Sequence, residues 1–155
     1  MCTVKIPVRP HLKKFAVKYY DADNEIITAN KHTTLGIAVE SILRNRYQVN
    51  TTKIEHYSDH LTLELNQDSS NLELRIRRLA YLNYILEKEF KKAMFIFVSA
   101  HVINFIPALT AIKNFLKFYQ IAESEYGSDS AYRQWLRMSN QEYKRKSMKN
   151  QSFSS

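Results

Sequence analysis

A chain of 155 residues, 45% of them apolar, can bury one substantial core, and a formal charge of +8 favours an anionic partner: nucleic acid, an anionic membrane face or an acidic protein. Two glycines and three prolines are too few for the many tight turns of a barrel or sandwich, so helices are expected to dominate. The single cysteine, Cys2, excludes an internal disulfide, and no apolar leader opens the chain, which predicts a cytoplasmic protein.

From Cys2 to Arg9, Val4, Ile6 and Val8 alternate with Lys5 and Arg9, the pattern of a short edge strand in which Pro7 needs no amide hydrogen. Pro10 then opens a helix. Leu12, Phe15, Ala16 and Tyr19 make its apolar stripe, and Lys13, Lys14 and Lys18 its outer face. The first twenty residues hold five lysines and arginines and no acid, a candidate phosphate-contacting patch. Asp21 to Glu25 lacks the glycine and the distal glutamate of a calcium loop and reads as a polar turn before a strand at Glu25 to Thr28. Thr33 or Thr34 can cap a helix over Leu35, Ile37, Ala38, Val39, Ile42 and Leu43. Lys53 to Tyr57 and Leu61 to Leu65 both alternate, and Ser58 and Asp59 between them suggest a β-hairpin.

The stretch from Ser70 to Phe105 is long and apolar enough to organise the core. Leu72, Ile76, Leu79, Leu82, Leu86 and Phe90 recur at helical steps, with Ser70 and Glu73 placed as a capping box; a strand over Leu72 to Ile76 remains an alternative. Ala93 to Ile112 carries no formal charge, enough length for a membrane span. Ser99, His101, Asn104 and Thr110 in that run, and Pro107 suited to a first helical turn, favour instead a central helix buried on most sides and a turn near Asn104 to Pro107.

After Pro107 the chain divides into two helices. Leu109, Ile112, Phe115, Leu116, Tyr119 and Ile121 form the apolar side of the first. The second, starting after Asp129 or Ser130, has Tyr132, Trp135, Leu136 and Tyr143 on an apolar side and Arg133, Arg137, Asn140, Gln141 and Lys144 on a polar one. Arginine reads guanine and asparagine or glutamine reads adenine in the major groove, so this face has the residue types of a recognition helix; Arg145, Lys146 and Lys149 follow as phosphate contacts. Glu123, Glu125 and Asp129 make the connection long and acidic for a tight helix-turn-helix. Residues 147–155 have too few apolar side chains to fold alone and read as a disordered tail.

Chemistry of other kinds finds little footing. His56 and His60 flank Asp59, but His11, His32 and His101 fall on other segments, so no metal site is expected. No phosphate-binding glycine loop, nucleophile arrangement or pair of buried acids is evident, and no cofactor is expected. An enzyme would have to be built around His101, which reads as a core residue making one hydrogen bond.

IPVRPHLKKF near the start, with IKNFLKFYQIAESEY and SAYRQWLR near the end, resembles small uncharacterised proteins of Bacteroidetes, their phages and mobile elements that are usually described as DNA-binding. More faintly, Ile112 to Ile121 resembles the first helix of the helix-turn-helix in bacterial replication initiators, whose ATPase and threonine-rich recognition segment have no counterpart in this sequence.

The expected fold is therefore α+β: a small mixed N-terminal sheet in residues 1–66, a helical body in residues 67–146 ending in a helix-turn-helix-like pair over 107–146, and the tail. The expected function is duplex DNA binding, as a regulator or accessory factor of a replication or transfer system. The alternative is a structural or protein-interaction module whose basic surface docks an acidic partner. No enzymatic activity and no membrane association are expected, and an open first strand allows a homodimer.

Overall fold

In the computed structural model the chain is described over residues 2–29, 32–44, 57, 59–65 and 81–152. It divides into two compact units, Met1–Phe90 and Lys91–Ser155, and the division falls within one helix.

In the first unit, strands β1 (Cys2–Val8), β2 (Ile26–Thr28) and β3 (Asp59–Leu65) form a sheet in the order β1-β3-β2. β1 runs antiparallel to β3 and β2 parallel to it, so the sheet is mixed. The register places Val4 opposite Leu63 and Ile6 opposite Leu61, and all four are buried together with Val8, Leu65 and Ile27. A one-residue slip would turn this whole set to solvent, which is what fixes the pairing. Pro7 sits on the edge strand, where its missing amide hydrogen costs no ladder bond, and its carbonyl accepts a hydrogen bond from Asn83 Nδ2 at 2.6 Å.

The sheet corrects the expected hairpin. β3 begins at Asp59, a residue assigned to the turn, and its neighbours are β1 and β2. Of the first strand expected for that hairpin, Lys53 to Tyr57, all but Tyr57 lies outside the described residues, as do residues 66–80 and with them the choice between strand and helix at Leu72 to Ile76.

Helix α1 (Pro10–Tyr19) begins at its proline and buries His11, Leu12, Phe15 and Ala16, leaving Tyr19 half exposed. Helix α2 (Thr34–Arg44) is capped by Thr33, whose Oγ1 accepts from the Gly36 amide at 3.0 Å. Between α1 and β2, Asp23–Glu25 forms a short 3-10 turn.

Helix α3 (Leu82–Ile103) supplies Leu82, Leu86 and Phe90 to this unit, all fully buried. Phe90 meets Phe15 and His11 in T-shaped contacts at ring separations of 5.4 and 5.3 Å, geometry that suits the aromatic quadrupole. Glu87 lies 3.4 Å from His11 Nε2 and 3.7 Å from Arg9 Nη1. One helical turn from Arg9, Lys13 pairs with Glu25 at 2.7 Å.

The second unit continues α3 through Met94 and Val98 and adds α4 (Ala108–Phe118) and α5 (Ser128–Ser152). α4 starts directly after Pro107 and buries Ala111, Ile112, Phe115 and Leu116; Leu109, expected on that side, is exposed instead. α3 is not buried on most sides here, because Ile96, Val102 and Ile103 face outward. Among the described residues no helix is long and apolar enough to cross a membrane. α5 runs to Ser152 and so carries helix into the segment expected to be disordered; once a helix is nucleated, each further residue gains a hydrogen bond for one fixed backbone position.

Tyr20, following α1, donates a short hydrogen bond to Glu89. Burial, and then that hydrogen bond, raise the phenol well above its ordinary pKa. A raised folded-state pKa means stability that is fully present below the unfolded value of about 10 and is lost as pH climbs beyond it. Tyr20→Phe should lower unfolding free energy at neutral pH by about 1.5–3 kcal/mol, the range for a hydrogen bond to a charged group, and should flatten the decline above pH 10. Urea denaturation at pH 7 and pH 10.5 checks both; equal alkaline slopes for the two proteins would remove Tyr20 as the cause.

Candidate nucleic-acid interface

The candidate interface is the outer face of α5. Arg133, Arg137, Asn140 and Lys144 follow one another at steps of four, three and four residues and therefore lie along a single line of the helix, with Gln141 beside it. All five side chains are exposed. Ala131, fully buried, and Trp135, half-buried, lie on the other side, so the polar line points away from the packed face. Trp135 Nε1 donates to Ser99 Oγ of α3 at 3.3 Å, which helps fix the rotation of α5 about its axis. Glu142 is nine residues, or two and a half turns, beyond Arg133 and so falls on the opposite side from the line.

The expected apolar side of this helix is only partly packed. Tyr132 and Leu136 are more than a third exposed and Tyr143 is 77% exposed, so they form an apolar strip open to solvent beside the polar line. The packing role passes to Ala131, a small residue whose value at a helix contact hydrophobic patterning does not weigh. Arg145 is also exposed, and Lys146 and Lys149 belong to the last turns of the same helix.

The acidic connection over 119–127 is occupied with its own backbone. Glu123 Oε1 accepts from the Ser128 amide at 2.6 Å and from the Ser128 hydroxyl at 2.9 Å, and Glu125 Oε2 accepts from the Ala122 amide at 2.8 Å. A carboxylate at the first amides of a helix is favoured both by hydrogen bonding and by the helix dipole. The helix accordingly begins at Ser128 and not after Asp129 or Ser130. By residue type Glu123 and Glu125 mark only a long acidic connection; their spacing before Gly127 and Ser128 is the signal for a cap supplied from the preceding loop.

Lys13, Lys14 and Lys18 belong to α1, in the other unit. Lys13 and Lys14 are partly buried and Lys18 is exposed, and the pairing of Lys13 with Glu25 offsets its charge. From residue 91 onward, ten lysines and arginines face four acids, so the second unit holds +6 of the chain's +8. His101, the one starting point for an enzyme, places Nδ1 2.8 Å from the Phe97 carbonyl and stacks on the Phe97 ring. Ser99 beside it accepts from Trp135, so the two groups have separate partners.

No protein-family model, no curated protein and no solved structure matches this chain.

Glu123→Ala should shorten α5 at its start and lower stability by about 0.5–2 kcal/mol, the range for losing a helix cap. Hydrogen exchange at the amides of residues 128–131 reports this locally, and unchanged protection there would mean that Glu123 does not hold the helix end.

Proposed function

We propose that the protein binds duplex DNA through the outer face of α5, without enzymatic activity, as a cytoplasmic regulator or accessory factor of a replication or transfer system. The observation that supports this most is the continuous exposed line of Arg133, Arg137, Asn140 and Lys144 on a helix whose opposite side is packed. A rigid helix with guanine- and adenine-reading side chains on one line can enter a major groove, and Arg145 beyond it can meet the backbone. The concentration of positive charge in this unit adds attraction that does not depend on sequence. Glu123 and Glu125 of the acidic connection are bonded to the amides of Ser128 and Ala122, which orders the entry to the helix.

A second reading is supported by the exposed strip of Tyr132, Leu136 and Tyr143 on the same helix. Aromatic side chains bordered by arginines are what a protein interface uses, so an acidic protein partner is the alternative occupant of α5.

Selection from a random duplex pool, followed by a salt titration, separates the readings. Binding should be micromolar or tighter and should weaken steeply as salt rises. Arg137→Ala should cost about 1–3 kcal/mol on the selected sequence and much less on other duplexes, whereas Arg145→Ala should weaken all duplexes alike and reduce the salt slope by about one. Absence of duplex binding at low salt would overturn the nucleic-acid reading and leave the protein partner.

A further inference from the structure

α5 opens with an acid that its own folding leaves unused. Asp129 is exposed in the first turn, and among the described residues its carboxylate has no hydrogen-bond or ion-pair partner. The start of the helix is served by Glu123 instead, whose Oε1 accepts from the Ser128 amide at 2.6 Å and from the Ser128 hydroxyl at 2.9 Å. Arg133, four residues on, is spaced for an ion pair with Asp129, yet its Nε donates to the Asp129 backbone carbonyl at 3.5 Å.

A first-turn acid gains from the helix dipole whichever way it points, so the direction of this one is the informative part. At about 100° per residue, Asp129 stands about 20° from Asn140 and about 40° from Arg133 around the axis, and it therefore heads the line of Arg133, Arg137, Asn140 and Lys144. Buried Ala131 lies about 160° away on the packed side. From Asp129 to Asn140 is about 16 Å of helix, the rise of about five base pairs, and the four side chains along it match the three or four that such a helix brings to base edges.

A carboxylate at this place adds nothing to attraction by the phosphate backbone and opposes it. Base edges treat it unequally. Cytosine offers its N4 amino group as a donor in the major groove, guanine shows only the N7 and O6 acceptors there, thymine an acceptor and a methyl group, and adenine sets an N7 acceptor beside its N6 donor. Resting on the duplex-DNA reading of this face, we infer that Asp129 is a specificity-determining residue: it accepts a hydrogen bond from the N4 amino group of a cytosine at the end of the site that meets the first turn of α5, next to the guanine read by Arg133. Asp129 thereby supplies what the arginines and lysines cannot, a repulsion that penalises the wrong sequence.

Selection from a random duplex pool with the full chain, with Asp129→Asn and with Asp129→Ala tests this, followed by titration of the selected duplex carrying each of the four bases at the position concerned. The unsubstituted protein should select cytosine at one position and bind the other three bases there about fivefold more weakly or worse, the lower end of what one good base contact gives. Asp129→Asn should move the preference at that position to adenine, whose N6 and N7 suit an amide, and leave the other positions as they were. Asp129→Ala should lose the preference at that position alone and bind unrelated duplexes as tightly or more tightly. A change of base preference at one position is a readout that a role in the helix dipole does not move. Duplex binding with the same preferences in all three proteins overturns the inference and leaves the DNA reading standing, as does a uniform gain in affinity for every duplex on Asp129→Ala with no change of preference. Absence of binding to any duplex at low salt overturns both.

Discussion

Burial along α3 is the constraint on which the rest of the molecule depends. Leu82, Leu86, Phe90, Met94 and Val98 are all fully buried at steps of four residues. A helix turns once in 3.6 residues, so each step advances the buried line by about 40° and the line winds slowly round the helix. One element thereby serves both units, with Phe90 as the last member in the first and Met94 as the next in the second. Truncating a large buried side chain in such a line removes about 2–5 kcal/mol, a large share of the stability of a domain. The same winding leaves Ile96 and Ile103 outside, so the apolar run that is long enough for a membrane span becomes a helix with one packed line and one open one.

Scarcity of glycine imposes a second constraint, on how helices end. The chain's glycines are Gly36, in α2, and Gly127, before α5, so neither is available to end a helix. Asp21, Phe105 and Gln120 take the left-handed position after α1, α3 and α4, at φ between 49° and 63°. In each case the following amide reaches back to the carbonyl five residues earlier: Ala22 to Val17, Ile106 to His101, Ile121 to Leu116. A left-handed non-glycine residue costs about 1–2 kcal/mol, and the satisfied terminal carbonyls offset part of it. Aspartate and glutamine at such positions meet water with polar groups. Phe105 does not, which is why the same motif reads as a stop at two ends and as a surface feature at the third.

Legibility in the sequence followed how local each determinant was. Alternation in β1, the proline at the start of α1 and the Thr33 cap each act within a few residues, and the α+β class follows from them. The pairing of β3 does not: which strands flank it depends on partners more than thirty residues away, and the local cue of Ser58 and Asp59 pointed to a hairpin. Hydrophobic periodicity identified the buried lines of α1 and α3 but misplaced Leu109 and Tyr143, because it counts side chains without knowing where a neighbouring helix ends. On α5 the residue types of the polar line could be read, and so could its spacing. Which side the helix buries could not, since that depends on Ala131 and on the Trp135 bond to Ser99, two small tertiary contacts.

Charge distribution links these packing facts to the surface they leave. In the first unit cations have carboxylates at hand: Arg9 with Glu87, Lys13 with Glu25. In the second, residues 91 to 122 contain no acid, and beyond them Glu123 and Glu125 are committed to the amides that order the α4–α5 connection and the start of α5. Hydrogen bonds to a carboxylate spread its charge over local dipoles, and a helix start adds further positive potential at that end. Folding of the loop engages Glu123 and Glu125 with backbone amides, while Asp129, exposed four residues before Arg133, is the acid that stands on the line of the basic face.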